Sequence, residues 1–104
     1  MPLISTIAGG EGPDSYQFTN IASATTTTCK SGTGTLIRIV VNRKIASGVI
    51  TVYDNTAGSG TTIATITNPA TLLDNAQVFE YSVGFDNGLT IVTTSTDNIT
   101  VVWR

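Results

Sequence analysis

The chain has 104 residues, 40% of them hydrophobic and only 12% charged. One domain's worth of length excludes a two-domain enzyme, and so few charges leave a surface of neutral polar groups. Five basic and seven acidic residues give a net charge of −2, histidine is absent, and Cys29 is the single cysteine. This excludes an internal disulfide and removes the usual general base and the usual zinc ligand.

Residues 1–15 carry Gly9, Gly10, Gly12 and Pro13, which break any regular element. They also hold Leu3, Ile4 and Ile7, more apolar weight than a disordered tail usually has. The expectation is an extended N-terminal arm, 1–15, that orders against a neighbouring subunit, followed by a single β-sandwich domain over 16–104. Threonine, about a fifth of the chain, is β-branched and favours strands.

Strand signals then recur about every ten residues: Tyr16–Ile21, Thr25–Lys30, Thr35–Asn42, Val49–Tyr53, Thr61–Thr67, Gln77–Phe85, Leu89–Ser95 and Asn98–Arg104. Between them lie turn-forming stretches such as Ser31–Gly34, Asp54–Gly60 and Asp86–Gly88, the last reading as a hairpin turn. Leu72 and Leu73 suggest a single helical turn. Seven or eight short strands at this spacing predict an all-β fold, an antiparallel β-sandwich of jelly-roll type.

Alternation assigns the faces. Phe79, Tyr81, Val83 and Phe85 form an apolar side against Glu80, Ser82 and Gly84. Leu89, Ile91 and Thr93 share a face, as do Ile99, Val101 and Trp103. In Leu36–Val41 the face of Ile37, Ile39 and Val41 is apolar, yet Leu36 and Val40 flank Arg38 on the other. A strand apolar on both sides is covered on both sides. A partner chain, the arm or a crossing loop could supply that cover, and burial in an oligomer is preferred. Leu36, Arg38 and Val40 are therefore candidate subunit contacts, together with Leu3, Ile4 and Ile7 of the arm.

Candidate chemistry is sparse. Asp54, Asp74, Asp86 and Asp97 each precede Asn, the pattern of turn formers, and no dense Asp-x-Asp loop offers a calcium site. The Gly/Ser/Thr turns lack the lysine of a phosphate-binding loop and lead into strands. Among the cations only Arg43 and Lys44 are adjacent, so the clustered charge that nucleic acid requires is missing. No apolar run approaches the ~18 residues of a membrane helix, and no signal prefix is visible. Cys29 reads as inert and Trp103 as core. No catalytic residue, metal or cofactor is expected, so the chain reads as a binding or assembly protein.

The segments 34–42 (GTLIRIVVN), 48–54 (GVITVYD), 57–61 (AGSGT), 88–93 (GLTIVT) and 98–103 (NITVVW) resemble small structural proteins of tailed bacteriophages. The resemblance covers roughly residues 30–104. It implies a capsid decoration (cement) protein at the virion surface, binding the major capsid protein and itself, a homotrimer first, with no catalytic residues to carry over. The competing expectation is a receptor- or carbohydrate-binding module of a tail fibre, or a baseplate or tail part. The carbohydrate reading would require Tyr53 to cluster with Tyr81 or Trp103 at the surface.

Overall fold

The computed structural model describes residues 15–104, which form eight strands and no helix. They are β1 (Gln17–Ile21), β2 (Thr26–Ser31), β3 (Gly34–Arg43), β4 (Val49–Asp54), β5 (Thr61–Thr67), β6 (Gln77–Phe85), β7 (Gly88–Thr93) and β8 (Asn98–Trp103). Two four-stranded antiparallel sheets result: sheet I in the order β1-β8-β3-β6, and sheet II in the order β2-β7-β4-β5.

The pairing is nested. β1 pairs with β8, β2 with β7, β3 with β6 and β4 with β5. A ribbon folded at the β4–β5 turn has been rolled up, and the β3–β8 and β4–β7 pairings close each sheet. This is the jelly roll, in which every connection except β4–β5 passes from one sheet to the other. The β6–β7 link is among these crossings, so Asp86–Gly88 does not close a hairpin as its sequence predicts. Neither Asn87 nor Gly88 has the positive φ of a tight hairpin turn. The three backbone N–H groups of Asp86, Asn87 and Gly88 donate instead to the Asp54 carboxylate, with N···O distances of 2.8–3.4 Å. The helical turn expected at Leu72–Leu73 is also absent, and Leu73 lies exposed.

The core fills the space between the sheets with Ile21, Leu36, Ile39, Val41, Phe85, Ile99 and Val101 from sheet I, and Ile50, Val52, Ile66, Leu89 and Ile91 from sheet II. The apolar side read for β6 faces inward: Phe85 is in the core, and Phe79, Tyr81 and Val83 pack against it. Truncating a fully enclosed member such as Ile39 removes contacts that the neighbours only partly restore, at a cost of about 2–5 kcal/mol.

Strand β3 departs from strict alternation. Its register shifts between Leu36 and Arg38 against both β6 and β8. A bulge of this kind changes the parity of the strand. Leu36 therefore joins Ile39 and Val41 in the core, fully buried, while Ile37 is buried outside that cluster.

Both ends of the sandwich are held by polar contacts. At one end Asn68, 3% exposed, donates from Nδ2 to the Ile45 carbonyl (2.9 Å) and to the carboxylate of buried Asp97, tying three loops together. At the other, Thr35 and Arg104 exchange backbone hydrogen bonds of 2.7 and 2.9 Å. Gly34 is required there, because a Cβ would stand 2.4 Å from the Arg104 carbonyl oxygen and 2.6 Å from the Phe85 ring.

Candidate functional site

The outward faces of the two sheets differ in what covers them. On sheet II, Thr26, Thr28, Thr90, Val92, Thr51 and Tyr53 point away from the core, and the loop after β4 lies over part of this surface. Thr90 Oγ1 donates to the Asn55 carbonyl (2.8 Å), and Thr28 Oγ1 donates to the Thr56 carbonyl (3.2 Å). The two hydroxyl oxygens stand 3.0 Å apart. A Cβ on Gly58 would approach Val92 Cγ2 to 2.8 Å, so the loop sits directly on the sheet. This contact explains why Thr90 is wholly buried on an outward face.

Among the described residues no loop hydrogen-bonds across the outer face of sheet I in this way. Cross-strand register places Phe18 opposite Val102, Val102 opposite Arg38, and Arg38 opposite Glu80. In the neighbouring row Asn20 stands opposite Thr100, Thr100 opposite Val40, and Val40 opposite Val78. Two apolar pairs, Phe18/Val102 and Val40/Val78, thus flank an ion pair, with Arg38 Nε 2.7 Å from Glu80 Oε2. Phe18 is 73% exposed and Val78 54%. The polar remainder is ordered: Asn20 and Asn42 both donate to Asn98 Oδ1, at 2.9 and 3.1 Å.

Of the candidate contacts, Arg38 and Val40 lie on this face, and both are half-buried. Leu36 does not: the bulge turns it into the core, so the expectation that it flanks Arg38 outside is corrected. Leu3, Ile4 and Ile7 fall outside the described residues. Sequence reasoning missed Phe18 and Val78. Their signal was an apolar residue on the polar side of a strand, Phe18 beside Asn20 in β1 and Val78 beside Glu80 in β6.

The remaining candidates separate. Cys29 is half-buried against the core, and burial pushes its thiol pKa up while a hydrogen bond with Thr19 pulls it down more weakly. Trp103 packs against the core, its Nε1 donates to Thr19 Oγ1 (3.2 Å), and Lys30 Nζ stands 6.0 Å from the ring centre. Tyr53 lies on the outer face of sheet II, whereas Tyr81 and Trp103 project between the sheets, so the three form no surface cluster. Asp54 and Asp97 are more than local turn formers. Asp54 serves a turn 32–34 residues away, and those amides, Asn87 and Asp86 foremost, hold its pKa below the usual carboxylate value. Among the described residues no group of three or more His, Cys, Asp or Glu could hold a metal ion, and no helix is long and apolar enough to cross a membrane.

A cleft of about 410 Å³ opens where the margins of the two sheets meet, between β5 and β6. Its lining includes Thr65, Thr67 and Asn68 on one side and Gln77, Phe79 and Tyr81 on the other. Lys44, 8% exposed, forms part of the wall, and its Nζ lies 2.7 Å from Asp74 Oδ1 and 2.8 Å from Gln77 Oε1. Partial burial raises the Tyr81 pKa, so the side chain stays a neutral phenol.

No protein-family model, no curated protein and no solved structure matches the chain.

Proposed function

We propose that the protein is a structural component of a virus particle: a capsid decoration module that binds the major capsid protein and stabilises the shell as a homo-oligomer, with a trimer favoured. The observation that carries this reading is the outer face of sheet I. Phe18/Val102 and Val40/Val78 place apolar side chains across all four strands of a face that, among the described residues, no loop bridges. Exposed apolar residues grouped on one face, with polar groups between them, suit a protein contact.

Three further points support it. The jelly roll is an architecture used by viral capsid domains, although it also serves lectins and enzymes, so the fold is an analogy only. The low charge lets copies pack without strong mutual repulsion. The sequence resemblance to phage structural proteins supplies the virion itself. Each copy need contribute only modest area, because ~25 cal/mol per Å² of apolar burial, offset by the cost of association, is multiplied over many sites on one shell.

The test is sedimentation with assembled shells of the cognate major capsid protein, together with light scattering on the chain alone. The expected result is co-sedimentation and a mass near three times the 10.8 kDa of one chain. The double variant Phe18→Ser, Val78→Ser should remain folded and stay in the supernatant. A wild-type chain that is monomeric and ignores the shells would overturn the reading.

A further inference from the structure

We infer that the cleft between β5 and β6 is a binding site for a neutral sugar ring. This is a second site, separate from the outer face of sheet I. Its volume, about 410 Å³, falls in the ~300–1,000 Å³ range of small-molecule pockets, where an apolar wall and a few fixed polar groups give orientation.

The apolar wall is aromatic. Phe79 and Tyr81 are two residues apart in β6, on the same side of the strand, and both are only partly buried. Aromatic side chains offer the flat apolar surface that the C–H face of a pyranose requires, and Tyr81 adds a polar tip. Among the described residues Tyr81 Oη has no hydrogen-bond partner.

The polar groups are fixed and unspent. Asn68 is 3% exposed; no described residue donates to its Oδ1, and that oxygen is not among the fully buried atoms. Its Nδ2 is committed to the Ile45 carbonyl and the Asp97 carboxylate. The amide therefore cannot turn over, and Oδ1 is held as an acceptor at the cleft wall. Gln77 is fixed in the same way: its Oε1 accepts from Lys44 Nζ, which leaves Nε2 as a donor. Two of the three Lys44 donors are used, which leaves a third N–H on the ammonium. Acceptor, amide donor and ammonium N–H thus stand beside one aromatic wall, the mixture that a ring bearing several hydroxyl groups satisfies.

Charge selects against the obvious competitors. The Lys44 ammonium is already matched by Asp74 at 2.7 Å, so the cleft offers no net positive charge to a phosphate or carboxylate. An apolar peptide would leave Asn68 Oδ1 and the Gln77 amide without partners, which costs free energy when they are desolvated.

The experiment is a titration of the intact ¹⁵N-labelled chain with the methyl glycosides of glucose, galactose, mannose and N-acetylglucosamine, followed by amide chemical shifts. At least one glycoside should move the amides of residues 65–68 and 77–81 together, with an affinity on the order of millimolar. Gln77→Ala, at an exposed position, and Tyr81→Phe, which removes only the hydroxyl, should each weaken that binding by about three- to tenfold. Tyr53→Ser, on the outer face of sheet II and outside the cleft lining, should leave it unchanged. Absence of shifts at the cleft with all four glycosides, shifts centred elsewhere, or unaltered affinity in both cleft variants would overturn the inference. Any of those results would leave the shell-binding reading standing, since that rests on Phe18, Val40, Val78 and Val102.

Discussion

The two outward faces of this sandwich solve the same problem differently. Sheet II hides part of its outer surface beneath its own β4–β5 loop, and threonine hydroxyls are the fasteners: Thr90 and Thr28 bond directly to loop carbonyls. Among the described residues sheet I has no such loop, and its outer side chains are valine, phenylalanine, threonine, asparagine and one ion pair. The difference teaches that an outward face can be read by whom its polar groups bond. Where hydroxyls reach loop backbone, the face is closed internally; where apolar pairs alternate with a polar network of asparagine and threonine, no described loop closes it.

The sharpest break in this comparison is Gly58→Val. The added atoms would collide with Val92 and Thr26 and lift the loop from sheet II, costing about 1–3 kcal/mol as overpacking usually does. Thermal denaturation would measure the loss, and sheet II should then show faster amide exchange at Thr90 and Val92. Next in size is Thr90→Val, which keeps the shape but leaves the Asn55 carbonyl without its donor. A loss of about 1–2 kcal/mol is expected, read by urea titration. The matching change on sheet I, Val40→Thr, should stay within about 0.5 kcal/mol, as for an ordinary surface substitution.

Asp54, at the root of the loop, gives a pH signature. Its folded-state pKa is depressed by the three amides of the β6–β7 turn. The resulting stabilisation is therefore fully present above the ordinary carboxylate pKa of about 3.9 and is lost as pH falls through the lower folded value. Asp54→Asn should lower the melting temperature at neutral pH, and the gap from wild type should close as the solution is acidified below that range. A gap that stays constant with pH would show that the carboxylate charge is not what holds the turn. The smallest expected effect on stability is Phe18→Ser, within about 0.5 kcal/mol, because the ring is largely in solvent. Its signature is a change in self-association, measured by sedimentation velocity.

How much of this was legible beforehand follows from the range of each signal. The eight strands were readable because β-branched runs and Gly/Asn/Asp turns are local, and the observed bounds fall within two residues of those expected. The inward faces of β6, β7 and β8 followed from alternation. Leu36 was misread because a bulge is a property of two strands in register, and nothing in the run GTLIRIVVN marks where the extra residue falls. The Asp86–Gly88 hairpin failed for a related reason: turn chemistry does not reveal whether the next strand joins the same sheet. At the candidate sites, Arg38 and Val40 were legible as outward residues. The cleft was not, since it joins Lys44 to side chains from β5, β6 and the loop between them, up to 37 positions away along the chain.

The nested pairing also governs how the chain can fold during synthesis. The β4–β5 hairpin joins strands separated by only six residues, whereas Gln17 must find Trp103 near the other end of the sequence. Loop-closure entropy favours starting at the hairpin and zipping outward, with the β1–β8 ladder last. On the ribosome, β1, β2 and β3 must therefore wait with unsatisfied edges until their partners emerge. That interval is when such a chain is most exposed to misassociation. Substitutions at Ile50 or Ile66 should slow refolding, while those at Ile21 should mainly hasten unfolding. Stopped-flow kinetics on both sets would reveal whether the roll closes in that order.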